Sequence, residues 1–401
     1  EDIHCDICII GGGFAGMWTA YRIKEAEPTA KVVVLDARLC GSGASGRNLG
    51  VVQTFWPKIG ALTAHFGDDG GLAIAQASSA AINEVENFCN THGVDAEFRY
   101  RGWMMLAISD SQMGTWDGFV NACSRLGVSP FAILTKGEIE QKTGSPIYKG
   151  GIMETKVAIV QPAKLALGLR RVLLDRGVII HEYTPATNID EKRGNVATPY
   201  GSVQAKQAVV LTLGGWTGSV PGLSRTIATV TSDVAATEPI RDALDASGWS
   251  GETITTARMT LRYARRSGDD RLVFGRAGGH LAFAGQISPR FETIPGGREL
   301  FAKDIPYYFP AASGARITHV WSGPIDRSGD GLPFFGTVPK ARPKLVYGAG
   351  FSGNGVGPSV LAGHILASLA LDRDDGWASN GLVRRHGGLF PIEPFRSIGG
   401  K

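Results

Sequence analysis

The chain of 401 residues is 43% hydrophobic and 19% charged, and its formal net charge is +4. This composition supports a sizeable core in one large domain or two closely joined ones, and it excludes a disordered or coiled-coil protein. Because the net charge is small and the basic residues are mostly dispersed, we expect no nucleic-acid partner.

Cysteine content and hydropathy indicate the cellular compartment in which the protein works. The chain has five cysteines, all in its first third: Cys5, Cys8, Cys40, Cys89 and Cys123. They lack the histidines and the spacing of a zinc site, so we predict reduced thiols and no metal. No apolar run reaches the roughly 18 residues of a membrane span, and residues 356–371, which come closest, are predicted to form a buried core helix. No secretory leader precedes the first apolar run, so we expect a cytoplasmic protein.

Residues 7–36 contain the most informative pattern. An apolar run enters a G-x-G-x-x-G turn at Gly11, Gly13 and Gly16, a helix-like stretch follows, and a second β-branched run ends on Asp36. The first glycine permits a tight turn, the second leaves room for a pyrophosphate, and the third lets the helix pack against the strand. The helix N-terminus attracts phosphate, and the carboxylate can accept hydrogen bonds from a ribose. The pattern predicts a bound adenine dinucleotide.

The rest of the chain alternates helices and strands until it changes character near residue 226. Helices are predicted for residues 70–92, 111–127, 136–142, 162–176, 297–309 and 356–371. Strands are predicted within 97–108 (two, around Gly102), 157–160, 178–183 and 208–218, and antiparallel strands for 226–286.

Three further glycine-rich segments narrow the cofactor from a dinucleotide to FAD. They are residues 41–50 (GSGASGRNLG), 211–218 (LTLGGWTG) and 347–359 (YGAGFSGNGVGPS). The first can bring backbone and an arginine to the pyrophosphate, and the second lies at a strand end beside the dinucleotide. The third runs into a helix whose N-terminus would stabilise negative charge on the flavin pyrimidine.

We therefore predict an α/β protein (α+β overall), with a Rossmann-type FAD-binding domain and an inserted antiparallel-sheet substrate domain. The FAD-binding domain is predicted to be discontinuous, comprising residues 1–90, 145–225 and 320–380. The substrate domain comprises residues 91–144 and 226–319, and residues 381–401 form a C-terminal tail.

In their order along the chain, these segments resemble the D-amino-acid-oxidase-like superfamily of FAD amine oxidoreductases, which includes glycine, sarcosine and γ-glutamylputrescine oxidases. The resemblance covers nearly the whole chain and includes a D-G-L-P motif at residues 330–333. The segments LCGSGASGRNLG, followed by Trp56 and Lys58, LPFFG (332–336) and GFSGNGVGPS (350–359) are similar to the aminophosphonate oxidoreductase branch. One position departs from it, because Leu49 stands where similar loops carry a glycine.

The resemblance implies FAD held without a covalent bond, since no cysteine lies beyond Cys123 and the loop after Asp36 lacks a histidine. The residues expected to bind FAD are Gly11, Gly13, Phe14, Ala15, Gly16, Asp36, Ala37, Arg38, Gly43, Ala44, Ser45, Arg47, Asn48, Leu49, Ala186, Thr212, Leu213, Gly214, Gly350, Phe351, Gly353, Asn354, Gly355 and Val356.

Amine oxidation by a flavin needs a neutral amine held with its α-carbon beside the flavin, and it needs no nucleophile or metal. A cation near the flavin assists the reduction of dioxygen, and an anionic substrate requires basic donors, preferably an arginine fork. The candidate catalytic residues are Lys58, Arg258, Arg262 and Tyr263. The candidate substrate-binding residues are Arg47, Trp56, Arg101 and Tyr347. The sequence does not choose among them.

A group of arginines in the region of the predicted antiparallel sheet has two interpretations. The group consists of Arg262, Arg265, Arg266, Arg271 and Arg276. It is either a solvated strand face or a device that attracts an anionic substrate.

The resemblance implies oxidative deamination of a small primary amine bearing an anionic group, of the 2-aminoethylphosphonate type, to an aldehyde, ammonia and H2O2. The expected partners are the amine and dioxygen or another electron acceptor, and the oligomeric state stays open. Two alternatives remain: oxidation of γ-glutamylputrescine or of an amine such as sarcosine or glycine, and a binding or assembly protein in which FAD is structural.

Overall fold

The computed structural model describes residues 2–258 and 260–399. The strands of this part of the chain are β1 (Asp2–Ile10), β2 (Val32–Leu35), β3 (Val51–Val52), β4 (Arg99–Tyr100), β5 (Trp103–Ala107), β6 (Phe131–Thr135), β7 (Gly150–Glu154), β8 (Ala158–Ile159), β9 (Ile179–His181), β10 (Asn188–Asp190), β11 (Asn195–Thr198), β12 (Gly201–Leu211), β13 (Ile227–Pro239), β14 (Thr253–Thr256), β15 (Arg262–Arg266), β16 (Arg271–Leu281), β17 (Ile317–Ser328), β18 (Phe334–Thr337) and β19 (Lys344–Ala349). The α-helices are α1 (Phe14–Ala26), α2 (Ala44–Arg47), α3 (Ile59–His92), α4 (Asp117–Arg125), α5 (Lys136–Thr143), α6 (Pro162–Asp175), α7 (Arg241–Ala246), α8 (Gly297–Tyr308), α9 (Pro358–Leu371) and α10 (Phe395–Gly399).

The first sheet is the Rossmann-type sheet predicted from the sequence. Its order is β10-β11-β12-β1-β2-β9, with β19 beside β12 and β18 beside β19. The pairs β1–β12, β1–β2, β2–β9 and β12–β19 are parallel. All four residues of β2 are buried, as expected for a strand that is covered on both faces and therefore reads as a continuous apolar run.

Helix α9 confirms the predicted core helix. Eleven of its residues are buried, and it packs against α1 on one face of the first sheet. The helix begins at Pro358, whose missing N–H costs nothing in the first turn. None of the helices in the described part of the chain has the length and apolarity that crossing a membrane would require.

The second sheet has the order β17-β13-β16-β15-β14-β5-β7-β6. The prediction of an antiparallel sheet holds for every pair except β14–β5, which is parallel. The exception arises because β5 precedes β14 by about 150 residues, so no hairpin turn constrains their relative direction. Helix α8 covers this sheet with Phe301 and Ile305, which are both buried.

The chain passes between the two sheets more often than the predicted boundaries imply. Strand β7 belongs to the second sheet although it lies within residues 145–225, and β17 extends that sheet to Ser328. Three short strands form a third sheet in the order β3-β8-β4. The division into domains therefore stays a prediction, because β7 and most of β17 belong to the second sheet but fall inside the predicted FAD-binding domain.

Two further differences concern element lengths. Helix α3 starts at Ile59 rather than near residue 70, and it is kinked at Gly67, whose φ of 72° is not helical. Residues 381–399 pack against the body of the fold: the Arg384 guanidinium pairs with Asp330, and Arg396 donates to the carbonyl of Ser224 at 3.0 Å. All five cysteines are unpaired and buried.

Candidate active site

A cleft of about 1330 Å³ lies between the two large sheets. Its lining comes from the loops that follow β1, β2, β12 and β19 and from the facing side of the second sheet. A ligand crevice beyond the carboxyl ends of parallel strands is the usual position for a dinucleotide in such a fold.

The glycine turn after β1 is built by close backbone contacts. Gly11 has a φ of +106°, which L side chains rarely adopt. A Cβ on Gly16 would overlap the Gly11 carbonyl oxygen and would lie 2.7 Å from Thr212 Oγ1. That hydroxyl donates to the carbonyl of Gly11 at 2.9 Å, so the turn, α1 and the end of β12 are joined at one point. The sequence-based role of Gly16 in helix–strand packing agrees with this geometry.

The carboxylate of Asp36 faces the same turn. It accepts hydrogen bonds from the backbone N–H groups of Gly12 and Arg38, at 2.7 and 2.8 Å. Burial raises the pKa of this carboxyl, although both hydrogen bonds oppose the rise. Asp36 lines the cleft beside Ala37 and Arg38, at the end of β2 where a ribose contact is expected.

Residues 41–50 form the second part of the cleft wall. The side-chain oxygen of Ser45 accepts the N–H of Phe14 at 2.8 Å, which caps the start of α1. Arg47 donates to the carbonyls of Ser42 and Ser322, at 2.8 and 3.1 Å, and thereby ties this loop to β17. Leu49, the departure from related loops, is 5% exposed and packs with residues of the second sheet while it lines the cleft.

The loop before α9 closes the cleft on the opposite side. The carboxylate of Asp326 on β17 accepts the N–H of Gly350 at 2.7 Å, and its carbonyl accepts the N–H of Ser352 at 2.9 Å. Burial raises the pKa of Asp326 to about 6. Asn354 donates to the carbonyl of Thr54 at 3.2 Å. These bonds hold the loop in one position against the second sheet.

Most of the predicted FAD-binding residues line this one cleft. Only Gly16 and Gly350, which serve backbone packing, do not. The cleft also fits a polar ligand: the buried Asn354 Oδ1 and Thr253 Oγ1 have no hydrogen-bond partner. A Cβ built on Gly13 would meet only Ser45 Oγ within 4 Å, which leaves space beside the turn. FAD would be held by the glycine turn, Asp36, residues 41–50 and the loop before α9.

The second sheet supplies the other end of the cleft. Tyr263 lies on β15 over Gly275, where a Cβ would overlap its ring, and its hydroxyl bonds to Ser232. Burial raises the pKa of Tyr263 to about 12, so the phenol is neutral at physiological pH. Trp103 Nε1 donates to Thr255 Oγ1 at 2.9 Å. This aromatic wall is suited to enclosing a small organic substrate.

Two cations border the same cleft. Lys58 Nζ donates to the carbonyl of Gly331, and burial, followed by the nearby charge of Arg327, lowers its pKa to about 8. Arg327 is exposed on β17, and its guanidinium makes no hydrogen bond or ion pair with any other described residue. An unpaired guanidinium therefore lies close enough to a desolvated ammonium to lower the pKa of that ammonium.

The structure separates the predicted catalytic and substrate residues into two groups. Lys58, Tyr263 and Arg47 line the cleft. The other five lie outside its lining. Arg258 donates to Tyr308 Oη, and Arg262 pairs with Asp304. Trp56 donates to Ser79 Oγ, Tyr347 donates to the Arg385 carbonyl, and Arg101 lines another cavity. Arg262 differs from Tyr263 because adjacent residues of a strand point to opposite faces.

Several residues of the site were not predicted from the sequence, and three of them carry part of its structure or charge. They are Thr54, Asp326 and Arg327, which all line the cleft. Arg327 lies three residues before Asp330 of the D-G-L-P motif. The motif does not indicate that Arg327 lies on a strand or that its side chain is on the face of that strand that borders the cleft. No local pattern marks Thr54 or Asp326, since both act through contacts with distant segments.

A buried carboxyl behind the cleft supports Thr54. Glu154 is 2% exposed, and both of its oxygens lie within 3.0 Å of Thr54 Oγ1. Burial raises the pKa of Glu154 from 4.5 to about 7, although the hydrogen bond from Thr54 opposes the rise. A folded-state pKa above the unfolded value means that this group stabilises the fold fully below pH 4.5 and that the stabilisation is lost as the pH rises through about 7.

Glu154→Gln should therefore stabilise the protein at pH 8 and leave its stability at pH 4.5 nearly unchanged. The neutral amide keeps an acceptor for Thr54 and removes a buried charge, a gain on the order of 3 kcal/mol. Urea unfolding of both proteins between pH 4.5 and 8 measures the difference. Equal pH dependence of the two unfolding curves would contradict the assignment of a buried, uncompensated carboxylate.

Comparison with known proteins also indicates that the chain binds FAD. A family model described as FAD dependent oxidoreductase matches residues 6–369. The oxidoreductase OrdL of Haemophilus influenzae is 28% identical over 384 residues, covering 93% of this chain and 84% of its own length. Gamma-glutamylputrescine oxidoreductase of Escherichia coli is 26% identical over 406 residues, covering 100% of this chain and 92% of its own.

The fold also matches a solved enzyme structure. The crystal structure of glycine oxidase from Geobacillus kaustophilus superposes with a TM-score of 0.80 at 21% identity, covering 96% of this chain and 100% of that one. The predicted Rossmann-type FAD fold is confirmed, and the interpretation of FAD as purely structural loses its support. The cofactor is FAD, and the chain belongs to the family of FAD dependent oxidoreductases.

Proposed function

We propose that the protein oxidises a small primary amine bearing an anionic group, of the 2-aminoethylphosphonate type, to an aldehyde and ammonia. The observation that carries this proposal is the exposed Arg327 at the cleft, which has no carboxylate partner in the described chain. A guanidinium in that state can form paired hydrogen bonds with a phosphonate dianion. The nearby ammonium of Lys58 adds positive charge on the same side.

The remaining lining residues support the chemistry of an amine. Held by these residues, FAD would supply an acceptor for the hydride that leaves the substrate's C–N carbon and a two-electron donor for an acceptor such as dioxygen, giving H2O2. Trp103, Thr255 and Tyr263 would enclose the alkyl part of the substrate and exclude water from it. The resulting imine then takes up water and releases the aldehyde and ammonia.

γ-Glutamylputrescine is the second candidate substrate. It is favoured by the similarity to gamma-glutamylputrescine oxidoreductase of Escherichia coli over the whole of this chain. That substrate also carries a primary amine and a carboxylate, so Arg327 could bind it. The two candidates differ in length and in the charge of the anionic group, and both differences are measurable.

The decisive experiment is anaerobic mixing of the FAD-loaded enzyme with 2-aminoethylphosphonate, with its 1-hydroxy derivative and with γ-glutamylputrescine. Loss of the flavin absorbance at about 450 nm reports transfer of electrons from the amine to FAD in the absence of dioxygen. We expect fastest bleaching with a phosphonate. If γ-glutamylputrescine bleaches the protein and neither phosphonate does, the proposed substrate is wrong while the enzyme class stands.

Arg327→Ser should raise KM for the phosphonate substrate by about 10- to 100-fold, since a charge-assisted hydrogen bond contributes about 1.5–3 kcal/mol. kcat should change much less, because the anionic group is remote from the reacting carbon. Propylamine, which lacks an anion, should be oxidised equally by both proteins. Arg258→Ser is the matched control, since Arg258 lies outside the cleft lining; an equal rise in KM there would contradict the role given to Arg327.

A further inference from the structure

A second cavity, of about 320 Å³, lies beside β15 and shares no lining residue with the FAD cleft. Five arginines but only two carboxylates contribute to its wall. The arginines are Arg99, Arg101, Arg241, Arg265 and Arg266, and the carboxylates are Glu97 and Asp270. Two of these arginines, Arg265 and Arg266, belong to the arginine group for which the sequence allowed two interpretations, a solvated strand face or a surface that attracts an anion.

The carboxylates are already engaged, so the positive charge is not neutralised within the wall. Asp270 pairs with both Arg241 and Arg266, at 2.5 and 2.6 Å. Glu97 pairs with Lys164 at 2.8 Å. Three arginines are left over, namely Arg99, Arg101 and Arg265, and none of their guanidinium groups makes a hydrogen bond or ion pair within residues 2–258 and 260–399.

Arg265 is the residue that points most directly to a ligand. It is 5% exposed, and its Nε is buried without a hydrogen-bond partner. Burial lowers the pKa of the guanidinium to about 10, with Glu97 and Asp269 opposing the decrease, so it remains charged at neutral pH. A buried cation that no carboxylate contacts directly is costly to a fold, and the cost falls when an anion binds beside it.

The geometry of the wall suits one class of anion. Arg99 and Arg101 are exposed, so they lie at the accessible rim, whereas Arg265 is buried in the wall. Guanidinium groups arranged around a small space can bind several oxygens of one tetrahedral anion through paired hydrogen bonds. We propose that this cavity is a second anion-binding site, which takes a compact phosphate-type group through Arg265, Arg99 and Arg101.

The site is connected to the active site through two strands. Arg265 follows Tyr263 by two residues on β15, and the two therefore share a face of the strand. Arg101 precedes Trp103 by two residues, and Trp103 lines the FAD cleft. An anion in the second cavity consequently binds beside the strands that form the substrate wall, but it does not compete for the residues of that wall.

The proposal is tested by calorimetric titration of the FAD-loaded enzyme with inorganic phosphate at constant ionic strength. We expect saturable binding that is weakened about 10- to 100-fold in the double variant Arg99→Ser/Arg101→Ser. Both residues are exposed, so the variant should fold. Arg265→Met should abolish the binding if that variant folds. The control Arg125→Ser/Arg171→Ser removes the same charge from exposed surface positions and should bind phosphate like the unaltered protein.

Two further arms separate the cavity from the cleft and identify the source of the phosphate group. Arg327→Ser should leave this phosphate binding unchanged, so failure of the amine proposal and failure of this one give different results. Phenyl phosphate that binds more tightly than inorganic phosphate would indicate an organic phosphate ester, and weaker binding would indicate the free ion. The proposal is overturned if phosphate does not bind, if Arg99→Ser/Arg101→Ser leaves binding intact, or if Arg125→Ser/Arg171→Ser weakens it equally.

Discussion

Gly16→Val should yield a protein that no longer retains FAD. A Cβ at this position would overlap the Gly11 carbonyl oxygen, which belongs to the backbone turn that would hold the pyrophosphate, and would crowd at 2.7 Å the Thr212 hydroxyl that donates to that oxygen. Since backbone cannot move aside as a flexible side chain does, α1 must shift away from the turn. Overpacking of this kind costs about 1–3 kcal/mol or more, and the helix N-terminus loses its alignment with the phosphates.

The measurement is the ratio of flavin to protein absorbance after gel filtration, together with Tm. We expect the apparent Kd for FAD to rise by at least about 100-fold, corresponding to the loss of two charge-assisted contacts. Gly118→Ala on α4 is the control, because an added Cβ there meets no heavy atom within 4 Å. It should keep a full complement of FAD and gain up to about 1 kcal/mol of stability. Stoichiometric FAD in Gly16→Val would refute the packing argument.

The fold could be predicted furthest where its determinants are local. Residues 7–36 encode a strand, turn, helix and strand within one continuous segment, and the structure has each of them. The parallel pairing of β14 with β5 could not be predicted, because it joins segments about 150 residues apart with no turn between them. The start of α3 at Ile59 was not predicted, because Gly67 interrupts the helical geometry and separates residues 59–66 from the longer helical pattern that follows.

The same distinction applies to the candidate site. The FAD-binding residues follow from glycine loops, whose backbone geometry is dictated by their own sequence, and nearly all of them line one cleft. The arginines depend instead on which face of a strand they occupy. Arg262 and Tyr263 are neighbours in sequence and lie on opposite faces of β15. Arg101 lies outside the cleft, in the wall of the second cavity. Arg327 could not be singled out, since the role proposed for it depends on its guanidinium having no partner among the described residues.

Lys58→Met should slow reoxidation of FAD by dioxygen by about 100-fold, the effect expected when a preorganised cation is removed from a site of developing negative charge. We propose that the Lys58 ammonium, which lines the cleft, assists electron transfer to dioxygen, the role for which the sequence made it a candidate. The rate of anaerobic amine oxidation at saturating substrate should change by less than about threefold, because hydride transfer to the flavin needs no cation beside it. Separate stopped-flow measurements of the two half-reactions test the difference. Equal reoxidation rates in the two proteins would exclude the role of Lys58.

The pH dependence of reoxidation distinguishes a catalytic cation from a structural one. Burial and Arg327 lower the pKa of Lys58 to about 8, so the protonated form is present below that pH and the rate should fall as the pH rises through it. Lys58→Arg should keep the rate and remove the decrease, since a guanidinium stays charged. Arg327→Ser should move the decrease to higher pH, because it removes a neighbouring positive charge. A purely structural lysine would produce neither change, and that is why the arginine variant is the more informative of the two.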